Sequence, residues 1–188
     1  MPVSLQKGQR VNLTKEDGNA LTQVVAGLGW DRAASGRANI DCDASAILCG
    51  GDGKIIRQED IVYFGSLKHP SDAVRHNGDN LTGAGDDEQI EVNLSDIPGQ
   101  YEKIVFIVTI YQAKERKQHF GMIRNAFIRI VDRETRKEIL RYDLSENCDG
   151  MTAMIFAEMY RKEGRWKFNA VGQPTQDNGL SALAERYR

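Results

Sequence analysis

Histidine, cysteine and proline are scarce in this chain, and none is arranged for chemistry. The three histidines, His69, His76 and His119, form neither an H-E-x-x-H motif nor a paired zinc spacing. Each reads as a surface or loop side chain. The three cysteines, Cys42, Cys49 and Cys148, contain no C-x-x-C and leave one thiol over in any pairing, so reduced cytoplasmic thiols are expected. Basic excess is lacking too. Lys and Arg total 25 against 27 Asp and Glu, a formal net charge of -2, which argues against a dedicated nucleic-acid binder. No apolar run approaches the length needed to span a bilayer, so the chain is not expected to be transmembrane. The opening "MPVSLQKGQRVNLTKEDG" is polar throughout and does not resemble a secretory leader. The sequons at Asn12, Asn80 and Asn93 then carry no weight. A G-x-S-x-G elbow and a phosphate-cradling P-loop are also absent.

What the chain does have is a series of strand patterns. "KIVFIVTIY" (103–111) is almost continuously apolar and β-branched, as a central strand should be. "NAFIRIVD" (125–132) alternates, with Phe127, Arg129 and Val131 on one face and Ile128 and Ile130 on the other. Segments 22–30, 39–48, 89–94 and 137–144 read as further strands, and 152–172 as a hairpin about "KEGR". Helix signal is confined to "GLSALAERYR" at the end and a turn near "KERKQHFGMI". These 188 residues predict a single all-β domain, a two-sheet β-sandwich with short helical segments.

One stretch demands an explanation, "HNGDNLTGAGDDEQIEV" (76–92). It reads as a glycine-rich loop ending in three consecutive acids. Asp79, Asn80, Asp86, Asp87 and Glu88 supply oxygen donors of the kind that Ca²⁺ takes in irregular cages, and a bound ion would offset their mutual repulsion. The pattern is not an EF-hand, because Leu81 and Thr82 fall where that motif needs an oxygen ligand and a glycine. A solvated acidic turn is an equally good reading of the composition. "IDCDAS" adds Asp41 and Asp43, two apart and therefore on one face of a strand, with Ile40, Cys42 and Ala44 facing a core. Asp31, after "GLGW", is a third acid at a strand end. If the 76–92 segment and the Asp41/Asp43 face converge, together they could offer six or more oxygens, with Ca²⁺ preferred over Mg²⁺.

The chain resembles the TerD family of bacterial tellurium-resistance and stress proteins, TerD, TerE and TerZ among them. The resemblance rests on "VSLQKGQRVNLT", "GLGWD", "DCDASA", "HNGDNLTGAGDDEQI", "IRNAFIRIVD", "RYDLSE", "EMYR" and "WKFNAVGQ", in that order along almost the whole chain. It implies a Ca²⁺-binding β-sandwich without catalytic activity, whose calcium motifs correspond here to Asp41, Asp43, Asp79, Asn80, Asp86, Asp87 and Glu88. It also implies partners among other tellurium-resistance proteins and a membrane-embedded component. Two rival readings are a Ca²⁺-dependent phosphate-ester hydrolase and a small-ligand, cyclic-nucleotide module. The first lacks a base beyond His76 and Thr82, and the second lacks a glycine-rich phosphate loop.

Overall fold

The computed structural model describes residues 1–31, 40–79 and 85–188. Twelve strands run in chain order: β1 (Val3–Leu5), β2 (Arg10–Asn12), β3 (Gln23–Asp31), β4 (Cys42–Cys49), β5 (Ile61–Val62), β6 (Val74–Asp79), β7 (Glu88–Asn93), β8 (Lys103–Ile110), β9 (Arg124–Asp132), β10 (Glu138–Asp143), β11 (Ala153–Lys162) and β12 (Arg165–Thr175). They form two six-stranded sheets, ordered β1-β10-β9-β3-β7-β6 and β2-β12-β11-β8-β4-β5. A short helix, α1 (Leu180–Ala184), lies near the end of the chain. The protein is an all-β sandwich of two packed sheets, as the strand series predicts. Among the described residues, no helix is long and apolar enough to cross a membrane.

The two sheets meet along alternating positions. Val24, Ala26, Leu28 and Trp30 of β3, with Ile128 and Ile130 of β9, face Ala44, Ala46 and Leu48 of β4 and Ile104, Phe106 and Val108 of β8 in one core. Burial of these side chains is the main driving force for joining the sheets, at roughly 25 cal/mol per Å² of apolar surface.

The unbroken apolar run of β8 has a specific cause. Its other face, Val105 and Ile107, is buried as well, in a second cluster with Ile47, Ile155, Leu183 and Ala184. α1 therefore lies over the outer face of this sheet, and β8 is covered on both sides. A strand covered on both sides loses the apolar–polar alternation. In β11 the register shifts between Ile155 and Ala157, so Phe156 is an extra residue, and its side chain joins the inter-sheet core.

The sequence reading differs from the structure in two places and agrees in a third. The stretch 76–92 is less of a loop than its glycines suggest, because residues 76–79 belong to β6 and 88–92 to β7, paired antiparallel. The short helical turn expected near "KERKQHFGMI" is there as a 3-10 turn at Phe120–Met122, preceded by a non-helical turn segment. His69 and His76 are not surface residues. They are 0% and 5% exposed.

Candidate acidic site at one end of the sandwich

The three consecutive acids diverge, and each meets its own donor. Asp86 points outward over β3. Arg129 grips it with two parallel bonds, Nε to Oδ1 at 2.7 Å and Nη2 to Oδ2 at 2.9 Å, and Gln89 adds a third donor at 2.9 Å. The same guanidinium reaches Glu138 at 3.1 Å. Its pKa is raised, first by the bond to Asp86. Asp87 accepts the Trp30 backbone N–H through Oδ2 at 2.8 Å. Glu88 turns inward and is buried.

Glu88 and His76 together replace a missing strand. β5 pairs with β4 only at Ala46 and Ile47, so among the described residues the edge of β4 before them has no strand beside it. There the Glu88 carboxylate accepts the Ala44 N–H, and His76 Nε2 donates to the Ala44 carbonyl at 3.1 Å. Gly78 N–H is aimed at His76 Nδ1 at 2.9 Å, which leaves the ring proton on Nε2, 3.3 Å from Glu88 Oε2. Two side chains from one sheet thus satisfy a backbone pair of the other, where an unpaired buried amide would be costly.

The "GLGW" glycines make room on the opposite face of β3. A Cβ on Gly27 would lie 2.4 Å from Asp86 Oδ2, and one on Gly29 would lie 2.4 Å from the Phe127 ring. Leu28 and Trp30, in alternation with them, fill the core.

The two acidic segments approach one another across the inter-sheet seam. Asp41, Asp43, Asp87 and Glu88 all act electrostatically on the Cys42 thiol, whose pKa is pushed far up by burial first and by these four carboxylates next. Asp41 is exposed, while Asp43 and Asp87 are half-buried. Asp31 is exposed and accepts a bond from Asn125 Nδ2 at 2.6 Å. Asn80 and the Asp79 side chain lie outside the described residues. Among the described residues no group of three or more Asp, Glu, His or Cys side chains is placed to hold a metal ion.

Among the described residues, the acidic side chains at this end offer oxygen alone. The only nearby imidazole, His76, has both ring nitrogens engaged in the network just described. That leaves carboxylate and carbonyl oxygen, the ligand chemistry of a hard cation. Asp86 is the exception within the acidic run, because both its oxygens are taken by Arg129. Sequence reading missed Arg129, His76 and the Trp30 amide as partners of these acids. The first had a visible signal, its outward register between Phe127 and Val131 on β9.

Fold and site define a class, a two-sheet β-sandwich with carboxylates from both sheets gathered at one end. The chain belongs to the TerD family: the family model described as TerD domain matches residues 1–187. It is 46% identical over 200 residues to "Stress response protein SCP2" of Bacillus subtilis (strain 168), covering 100% of each chain. It is also 42% identical over 189 residues to "Tellurium resistance protein TerD" of Alcaligenes sp, covering 100% of this chain and 97% of that one. The crystal structure of a homologue of telluride resistance protein (TerD) from Streptomyces coelicolor A3(2) superposes with a TM-score of 0.70 at 20% identity, over 90% of this chain and 99% of that one, and shows the same fold. The relatives are named for resistance and stress response, not for a reaction.

Proposed function

We propose that this protein is a cytoplasmic, non-enzymatic Ca²⁺-binding stress-response protein. In this reading, calcium ties the Asp41–Asp43 segment of one sheet to the Asp87–Glu88 segment of the other. The ordered surface is then presented to partners, other tellurium-resistance proteins and a membrane-embedded component. One observation supports the reading: carboxylates from both sheets converge around Cys42, where Glu88 of one sheet reaches the Ala44 amide next to Asp43 in the other. Asp41, Asp43 and Asp87 would hold the ion, with Glu88 contributing from the buried side and Asp79 and Asn80 from the adjoining segment. Asp31 stands at the end of β3 as an outer acid. The bound ion supplies the positive charge that Arg129 supplies to Asp86. Asp43 holds its position through β4, Asp87 through its bonds to Leu28 and Trp30 of β3, and Glu88 through Ala44 and His76.

The test is thermal melting of chelated protein with added Ca²⁺ or Mg²⁺. A native-state ligand at a hundredfold excess over its dissociation constant stabilises by about 2.7 kcal/mol. A clear rise with Ca²⁺ and a smaller one with Mg²⁺ is expected. No rise with Ca²⁺ overturns the reading.

A further inference from the structure

We propose that Ser71 is an acyl-acceptor site, a serine whose hydroxyl is activated by His69 and Asp60 and takes an acyl group from an acyl phosphate. The proposal does not rest on calcium. Asp60 and His69 are each 0% exposed, and neither belongs to the acidic site.

The three side chains form a relay with a fixed direction for its protons. The Asp60 carboxylate accepts the Ile56 and Arg57 N–H groups at 3.0 and 2.8 Å and the Tyr101 hydroxyl at 2.6 Å. His69 Nε2 lies 3.2 Å from the same carboxylate. An ionised carboxylate only accepts, so the imidazole proton sits on Nε2. Nδ1 is then the acceptor, and it takes the Ser71 backbone N–H at 3.1 Å. The Ser71 hydroxyl, 2.6 Å from Nδ1, donates to it as well. The hydroxyl oxygen accepts the Ala73 N–H at 3.3 Å, which holds it in place. Serine, imidazole and carboxylate thus stand in the order that activates a nucleophile, with the two ring nitrogens exchanged relative to a serine hydrolase.

A tight turn builds this relay. The His69 carbonyl accepts the Asp72 N–H at 2.8 Å, and Pro70 takes the second position, where its fixed φ suits the turn. Ser71 is thereby folded back against the ring two residues before it. The ring itself is immobilised. His69 N–H donates to the Val74 carbonyl at 3.0 Å, and the imidazole packs edge to face on Tyr101 at 5.2 Å. Ser71 is half-buried between the exposed Pro70 and Asp72, so a buried base serves a nucleophile at the surface.

Charge at the turn selects the donor. Lys68 Nζ and Arg75 Nη2 both reach Asp72, at 2.9 and 2.6 Å. Two cations sharing one carboxylate leave a net positive charge beside Ser71, which favours an anionic leaving group. In the step, Ser71 Oγ attacks the acyl carbon as its proton passes to His69 Nδ1. The bond from that carbon to the phosphate oxygen breaks, and the proton moves from Nδ1 to the departing phosphate. The products are O-acyl-Ser71 and inorganic phosphate, with no change of oxidation state. The step modifies the chain once and is not turnover.

The experiment is incubation of the full chain with acetyl phosphate, then peptide mass mapping before and after hydroxylamine, which strips acetyl from serine and leaves it on lysine. A hydroxylamine-labile acetyl group is expected on Ser71, formed about a hundredfold faster than on the exposed Ser181, the scale of general-base assistance. This comparison is made within one chain and holds even where a variant fails to fold. Ser71→Ala should lose the label. His69→Gln, whose amide can still donate to Asp60, should slow it by about a hundredfold. Lys68→Gln with Arg75→Gln should slow transfer from acetyl phosphate and leave transfer from the neutral p-nitrophenyl acetate unchanged. The proposal is overturned by the absence of a labile acetyl on Ser71, by labelling no faster than at Ser181, or by a folded His69→Gln variant that labels like the wild type. Equal slowing with both donors in the Lys68/Arg75 variant overturns the choice of an acyl phosphate.

Discussion

Arg129 holds Asp86 through two parallel bonds of 2.7 and 2.9 Å, with the Asp86 carboxylate fully buried and the guanidinium one-quarter exposed. The pair sits on the outer face of β3, above the space that Gly27 leaves open. Removing the cation takes the charge partner from a buried carboxylate. Arg129→Met is expected to lower stability by about 3 kcal/mol, the lower end of the range for breaking a buried pair. Glu185→Gln, which breaks an exposed pair at 2.9 Å to Arg188, should cost under about 1 kcal/mol. Urea unfolding of the two variants checks the contrast, and equal losses would show that burial does not govern the Asp86 pair.

Gly27→Ala places a methyl 2.4 Å from Asp86 Oδ2. The carboxylate must move, which pulls it from Arg129 or strains β3. A loss of about 1–3 kcal/mol is expected, as for overpacking in general. The loss should be smaller when Asp86 is already Ala, because the clashing oxygens are gone. A double-mutant cycle by chemical denaturation measures this coupling.

Glu88→Leu removes Oε2, the single oxygen that takes both donors, whereas a glutamine could keep both by placing its carbonyl there. In chelated protein the expected cost is about 1–3 kcal/mol, from the buried Ala44 N–H or His76 Nε2–H left unsatisfied. Working in EGTA separates this from any effect on calcium. Amide exchange at Ala44 should speed up in parallel, and an unchanged rate would remove Glu88 from the role of strand surrogate.

The acidic run should divide by function. Each variant's melting shift with Ca²⁺ is measured against its own chelated state. Asp43→Asn and Asp87→Asn are expected to lose most of the shift. Asp86→Asn should keep it, although its starting melting temperature falls, because that carboxylate belongs to Arg129. A calcium shift abolished by Asp86→Asn alone would place the ion on the outer face of β3 instead.

The thiols should be inert in the folded protein. Burial is the first cause that pushes Cys49 up to about 12 from an ordinary 9.0, and Cys42 is raised further by burial and its four carboxylate neighbours. Iodoacetamide at pH 8 should label the native chain slowly and the guanidinium-unfolded chain fast. Each thiol ionises more easily unfolded than folded. Its contribution to stability is therefore complete below about pH 9 and lost as the pH rises towards 12. Urea midpoints should fall across that alkaline window, and replacing Cys49 by Ala should flatten the fall.

Much of the sandwich was legible because its signals are local. Alternation on β9 placed Ile128 and Ile130 inside and Arg129 outside, and the structure agrees. Asp41 and Asp43 were expected on the face opposite Ile40, Cys42 and Ala44, and those three are buried. The hairpin about Glu163 and Gly164 has the pairing expected of it, Lys162 opposite Arg165. The buried state of His69 and His76 was not legible. His69 owes it to Asp60, 3.2 Å away across nine residues, and His76 to Ala44 and Glu88. Spacing along the chain carries no trace of such partners.

The sequence by itself determined the periodicity of the strands, the membership of the core and the presence of an acidic, glycine-rich segment, because side-chain direction in a strand follows from position alone. It also determined the family, through motifs spread along the whole chain. Only the tertiary structure decided how three adjacent acids, Asp86, Asp87 and Glu88, part company. One meets a guanidinium on β9, one a backbone amide on β3 and one the open edge of β4 in the other sheet. The physical reason is that a carboxylate's environment is set by what packs against it, and these three donors come from strands at least 40 positions away in sequence, brought close only when the two sheets close on their shared core.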